Sequence, residues 1–231
     1  NPDICVPEEQ KNIIRSTPWG EMTYLAYKKH IEFGKEEYDE IDRYCKQKGI
    51  GWFASVWDFD SVDFMSQYTD IVKIPSALIT NEDLITYTRK SFNFLIISTG
   101  MSTEEEIEQC VSCCNPDVIM HTNSTYPTPV NELNLNYINW LKDKYKKEVG
   151  YSGHEYGLIT TMATVPMGVT WIERHITLDR TMWGSDHLAS VEPAGMMKLI
   201  KGIRDIECAL GVSEKRTLMD SELLKRQSLR G

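Results

Sequence analysis

Hydrophobic positions along this chain fall into short, largely unbroken runs, and most of the stretches around them carry apolar residues at helical spacing. Six runs read as strands: IGWFAS (50–55), DIVKIPS (70–76), NFLIIS (93–98), DVIMHT (117–122), EVGYS (148–152) and GVTWIERH (168–175). Within them VKI, FLII and DVIM are dominated by β-branched and other apolar residues, the composition of strands covered on both faces. Helices are predicted at 35–48, 59–67, 81–90, 103–114, 131–146 and 156–166. Gly49 ends the first of these, and Thr103 with Glu106 forms the capping-box pair that opens the fourth. Pro193 starts a last helix that runs to about residue 210 and stops at Gly211. Regular strand–helix alternation means a parallel sheet. The expected fold is α/β, a TIM (β/α)8 barrel that is incomplete here, with six strand–helix units where a closed barrel has eight.

The first residues follow no period. Residues 8–30 are polar and hold the turn formers Ser16, Thr17, Pro18 and Gly20. Residues 1–34 are therefore expected to be an irregular amino-terminal arm and residues 35–211 the barrel domain. The charged tail 212–231 is expected to be a linker toward a carboxyl-terminal domain. The two strands wanting from the barrel are expected to lie upstream.

Composition narrows the function. With 231 residues, 41% of them hydrophobic, the chain can bury one sizeable core. A net charge of −9 without basic clusters argues against nucleic acid or an anionic membrane surface as partner. An anionic substrate must then be held by a local pocket, because the overall field repels it. No apolar run approaches the roughly 18 residues of a membrane span. Three of the six cysteines, Cys110, Cys113 and Cys114, cluster in a predicted helix. No second CxxC completes a zinc ribbon, so they read as free thiols of a reduced, cytoplasmic protein.

Polar residues collect where the strands stop: Ser55; Lys73 and Ser76; Ser98, Thr99 and Gly100; Thr122, Asn123, Ser124 and Tyr126; Ser152 and His154; Glu173 and His175. In a barrel these positions share one rim, the one that carries active sites. A lone serine there caps the next helix, and a lone histidine fills a core or caps a helix. Their recurrence at successive strand ends points to a site. Lys73 near the end of a buried strand needs a counter-charge. Lys73 ringed by hydroxyls and by the Thr99–Gly100 amides fits a phosphate. The imidazoles of His154 and His175, at neighbouring strand ends, suit zinc, copper, iron or nickel. With carboxylate and water they also suit manganese or magnesium.

The segments FAS (53–55), VKIPSA (72–77), ISTGM (97–101), TYPTP (125–129), GYSGHEYG (150–157), ERHIT (173–177) and GSDH (184–187) carry a specific pattern. In order and spacing the chain resembles the sialic acid synthase family, N-acetylneuraminate synthases with their legionaminate, pseudaminate and spore-coat relatives. The resemblance covers about residues 35–211. It implies condensation of phosphoenolpyruvate with an N-acylated aldose, typically N-acetylmannosamine, to a nine-carbon 2-keto acid with release of phosphate. It implies a divalent cation (manganese, magnesium or cobalt) and, for the full-length protein, a homodimer.

By motif, His154 and His175 would hold the metal, and Lys73, Ser76, Ser98 and Ser152 would bind phosphoenolpyruvate. Ser124 and Tyr126 would lie near both substrates, and Asp186 would bind sugar hydroxyls. His154, His175, Tyr126 and Lys73 are the expected catalytic group, with Glu173 placed behind the metal ligands. A first-strand glutamate, a lysine and glutamine of the second strand, and a carboxyl-terminal antifreeze-like domain belong to the family pattern but not to this stretch. Two other readings stand beside this one: another metal-dependent, phosphoenolpyruvate-using barrel aldolase or lyase, and a non-catalytic sugar-binding fragment.

Overall fold

A computed structural model describes residues 1–212 and 215–230. The amino-terminal arm is more regular than its sequence suggests. A short helix α1 (Pro2–Cys5) leads to an antiparallel hairpin of β1 (Ile14–Thr17) and β2 (Gly20–Thr23), then to α2 (Tyr24–Ile31), which Thr23 caps through its side chain. The hairpin strands are four residues each and mostly exposed, so no alternation of buried positions marks them in the sequence. Helix α3 (Lys35–Lys48) matches expectation and ends on Gly49 in the left-handed region at φ 67°, a conformation that glycine adopts without strain.

The barrel units follow: α4 (Phe59–Met65), β3 (Ile71–Ile74), α5 (Glu82–Ser91), β4 (Phe94–Ser98), α6 (Glu104–Cys114), β5 (Val118–Thr122), α7 (Tyr137–Tyr145), β6 (Glu148–Gly153), α8 (Ile159–Ala163), β7 (Ile172–Arg174) and α9 (Pro193–Leu210). The Thr103–Glu106 capping box forms as expected. Three helices are shorter than predicted, α4 by two residues at its end and α7 and α8 by more. Helix α7 waits for Tyr137 because Pro129 opens a 3-10 turn at Val130–Glu132 and Asn134 takes φ 44°. Helix α8 stops at Ala163, ahead of a 3-10 turn containing Pro166. In the tail, Asp220–Arg230 forms a helix, α10, with no buried residue.

Strands β3 to β7 make one parallel sheet in chain order. The run 50–55, expected as a sixth strand, lies beside β3 but forms one bridge only, Ser55 with Lys73. Lys73 N donates to Ala54 O at 3.4 Å and Val56 N donates to Lys73 O at 3.1 Å. The sheet is strongly curled. Flat, its outer strands β3 and β7 would stand about 19 Å apart, four steps of about 4.8 Å. Instead Lys73 on β3 touches Glu173 on β7 at 2.7 Å.

Alternation along the strands divides the side chains between two layers. Val72, Ile74, Leu95, Ile97, Ile119, Val149 and Tyr151 pack outward against the helices in the main core. Ile96, Val118 and Met120, with Ile71, Phe94 and Trp171, form a second, smaller cluster on the inner face. The inner face is thus apolar at the amino-terminal ends of the strands, a floor on which the polar rim stands. A cavity of about 860 Å³ lies elsewhere, between the amino-terminal arm and α4, and of the polar strand-end residues only Ser55 lines it.

Candidate active site

Continuing the inner-face positions toward the carboxyl ends turns hydrocarbon into chemistry. Beyond Ile71 comes Lys73; beyond Ile96 come Ser98 and Gly100; beyond Met120 come Thr122 and Ser124. Beyond Gly150 come Ser152 and His154, and beyond Trp171 come Glu173 and His175. The registers Met120–Gly150, Thr122–Ser152 and Ser152–Glu173 set these side by side.

His154 and His175 face each other, ring centroids 5.1 Å apart. Nδ1 of His154 lies 2.6 Å from the Asn123 carbonyl oxygen. A carbonyl only accepts, so Nδ1 carries the proton and Nε2 keeps a free lone pair, the form that a metal ligand requires. Burial holds His154 below the ordinary imidazole value, against the pull of that carbonyl bond, which keeps the ring neutral and able to ligate. Glu173 joins the pair: one ligand atom each from His154, Glu173 and His175 lies within 4.8 Å of the others. Two imidazoles and a carboxylate on one cluster fit a divalent cation. Asp186 Oδ2 stands 3.6 Å from His175 Nδ1. The Tyr126 ring covers both histidines, with centroids 4.2 Å from His154 and 5.6 Å from His175.

Lys73, 8% exposed, extends its ammonium to both oxygens of Glu173 at 2.7 Å. The expected counter-charge is thus supplied by the protein itself. Ser152 Oγ donates to the same carboxylate at 2.9 Å. Burial opposes ionisation of Glu173, but Lys73 and Ser152 outweigh it and hold the carboxyl below its usual value.

Next to Lys73 lies a recess around Gly100. Its amide donates to Ser76 Oγ at 3.0 Å. A Cβ at Gly100 would collide with Ser124 Oγ and stand 2.9 Å from both Ser76 Oγ and Thr122 Cγ2. Ser98 Oγ is buried with no hydrogen-bond partner among the described residues. An orphaned hydroxyl is costly unless something else satisfies it, and a bound anion would. Lys73, Ser76, Ser98, Ser124, Tyr126, Ser152, His154, Glu173, His175 and Asp186 therefore fall on one rim, in two adjoining groups, whereas Ser55 lines the cavity beside the amino-terminal arm and Thr99 Oγ1 donates to the Met120 carbonyl. Sequence reasoning named Gly100 for its amide and Asn123 as a polar strand-end residue, but missed Gly100 as the floor of the recess and the Asn123 carbonyl as the anchor of His154. Neither carries a side-chain signal.

It also missed the support behind the rim. Glu155, fully buried, accepts from Tyr151 Oη at 3.0 Å, Thr160 Oγ1 at 2.8 Å and Thr161 Oγ1 at 2.7 Å, and lies 3.3 Å from Arg174 Nη1. Arg174 also donates to the carbonyls of Glu155 at 2.7 Å, Gly157 at 2.8 Å and Ala189 at 3.3 Å. Each partner directly adjoins a rim histidine in sequence.

Residues 2–215 match the model of the NeuB family. The chain belongs to the NeuB family. Among curated relatives, this NeuB chain is 35% identical over 206 residues to N-acetylneuraminate-9-phosphate synthase of Homo sapiens, covering 87% of this chain and 57% of that protein. It is 34% identical over 240 residues to N,N'-diacetyllegionaminic acid synthase of Legionella pneumophila, covering 100% of this chain and 66% of the relative. Among solved structures it superposes on the N-acetylneuraminic acid synthetase of Leptospira borgpetersenii, crystallised with citrate. The TM-score is 0.79 at 33% identity, over 89% of this chain and 75% of that one. The family named from the motifs and the incomplete α/β barrel both hold. The NeuB chain spans a little over half to two thirds of the length of these two curated relatives.

Proposed function

We propose that this NeuB chain carries the substrate-binding rim of a synthase. The reaction joins phosphoenolpyruvate to an N-acylated aldose, N-acetylmannosamine or a relative, giving a nine-carbon 2-keto sugar acid and phosphate. The observation that carries this reading is the meeting of two unlike subsites on one rim. One is a cation-ready cluster of His154, Glu173 and His175, and the other is Lys73 beside the Gly100 recess. The curated relatives, named as sialic and legionaminic acid synthases, support the same chemistry.

His154 and His175, with Glu173 beside them, would hold a divalent ion (manganese, magnesium or cobalt), which supplies Lewis-acid polarisation of the sugar aldehyde when bound. Lys73, Ser76, Ser98, Ser124 and Ser152 hold the phosphate and carboxylate of phosphoenolpyruvate; the Thr99 and Gly100 amides, expected to share that task, are already bonded to the Met120 carbonyl and Ser76 Oγ. Tyr126 walls the cluster on its open side, and Asp186 offers a carboxylate to sugar hydroxyls. So held, the enol carbon attacks the aldehyde carbon and a C–C bond forms. The positive carbon left behind takes up water, and C–O cleavage expels phosphate. Holding two substrates in contact removes much of the barrier by proximity alone. A homodimer of the full-length protein and a cytoplasmic location belong to the same reading. Exposed Leu218, Met219, Leu224 and Leu229 support the first, and unpaired cysteines support the second.

The test is phosphate release from phosphoenolpyruvate by the full-length gene product, across acylated hexosamines, with Mn2+ supplied. At least one sugar should drive release, and His154→Ala or His175→Ala should lower it by more than about 100-fold, beyond the loss typical of residues that only orient ligands. Unchanged cation-dependent release by His175→Ala would remove its ligand role. Release that ignores every acylated hexosamine would favour a different aldolase or lyase.

A further inference from the structure

We propose that Glu173 is shared between the two subsites: it neutralises Lys73 when no anion is bound, and turns to the cation when an anion takes its place. The inference rests on the functional reading above and adds that cation and anion bind cooperatively through this one carboxylate. Both Glu173 oxygens lie 2.7 Å from the Lys73 ammonium. An oxygen of the same carboxylate also lies within 4.8 Å of a ring nitrogen of each imidazole, a spacing that one ion can bridge. A divalent ion between the histidines and the lysine ammonium are therefore rivals for one negative group, and each raises the cost of the other. A phosphate-bearing anion in the Gly100 recess supplies Lys73 with negative charge from another source. Glu173 is then released from the lysine, and the ion meets a full carboxylate instead of a half-neutralised one.

Two features suit Glu173 to this exchange. Its side chain is one-third exposed, so it has room to turn. Ser152 Oγ donates to Oε1 at 2.9 Å and keeps the group in place when the lysine lets go. Ser152 also belongs to the strand between β5 and β7, next to His154 by two residues. The hydroxyl thus ties the moving carboxylate to the same strand that presents the imidazole.

The experiment is a binding measurement on the full chain with Mn2+ and inorganic phosphate as probes, following free Mn2+ by electron paramagnetic resonance and heat by calorimetry. Saturating phosphate should tighten Mn2+ about tenfold, within the usual range of coupling between sites, and Mn2+ should tighten phosphate by the same factor, as linkage requires. Glu173→Gln, which keeps the shape and the Ser152 bond, should weaken Mn2+, tighten phosphate by freeing Lys73, and shrink the coupling. Lys73→Met should tighten Mn2+ in the absence of phosphate. Wild-type binding of the two probes without mutual effect overturns the proposal, and so does a Glu173→Gln protein that weakens both or changes neither. Thermal unfolding of each variant separates loss of binding from loss of fold. If wild-type protein binds no Mn2+ that His154→Ala and His175→Ala abolish, the functional reading itself fails, and the sharing of Glu173 fails with it.

Discussion

Behind the histidines of the rim lies a buried ion pair, Glu155 with Arg174, that belongs to neither proposed subsite. Glu155 has no exposed surface, and Arg174 is its one cationic partner among the described residues. Burial alone would raise the Glu155 carboxyl above its usual range, but the threonine hydroxyls and Arg174 reverse the direction and hold it lower. Truncating the arginine strands a buried negative charge, a defect worth about 3–5 kcal/mol. Arg174→Met should lose stability of that order in urea unfolding, and Arg174→Lys should recover part of it. The recovery is incomplete because an ammonium cannot replace a planar fork aimed at three carbonyls. At this scale the sequence was half legible. Lys73, His154 and His175 announced themselves because charged or ligating side chains at the ends of buried strands are rare. Glu155 and Arg174 stand next to those histidines, yet nothing in their spacing marked them as a pair, because the contact is made across neighbouring strands.

Single elements sort cleanly by how much apolar surface they hide. Strands β3 to β6 could be read because each is covered on both faces, whereas the hairpin β1–β2, which hides almost nothing, could not. The edge segment 50–55 was over-read. Its apolar letters are those of a strand, but a lone bridge to Lys73 leaves most of it outside the ladder. Inside the barrel the limiting quantity is space rather than polarity. Gly150 on β6 faces the inner cluster, where an added Cβ would collide with Met120 Sδ and stand 2.8 Å from Trp171 Cβ and the Trp171 carbonyl oxygen. Backbone is among those neighbours and cannot swing aside. Gly150→Ala should therefore cost about 1–3 kcal/mol, the usual penalty of overpacking a filled core, measured as a lowered urea midpoint with an unchanged slope. Helix α10 is the opposite case, with Leu224 76% and Leu229 79% exposed. An 11-residue helix with nothing buried is marginal in water on its own.

Taken whole, the molecule also carries a proton-linked stability that the rim does not explain. His121 points into the outer layer between the rings of Tyr137 and Tyr151, and its Nε2 meets the Leu133 carbonyl at 2.7 Å. Burial lowers its affinity for a proton, and the carbonyl bond only partly offsets that. Above about pH 6.5 the ring is neutral both folded and unfolded, and its contribution is complete. As pH falls below that value the unfolded chain takes a proton that the folded chain resists, so stability declines until the folded ring titrates as well. The slope from this one group should reach at most about 1.4 kcal/mol per pH unit. Urea midpoints collected from pH 7.5 down to pH 5 should fall, and His121→Phe should flatten that decline. The barrel architecture was legible from the rhythm of apolar runs, whereas this linkage was not, because a histidine inside DVIMHT looks the same whether it faces the rim or the helices. The contact between Lys73 and Glu173 has a temporal corollary. Its two ends are 100 residues apart, and everything between them must be laid down and coiled before ammonium and carboxylate can meet. On a chain leaving the ribosome that pair therefore closes late, once β7 has swung round to β3.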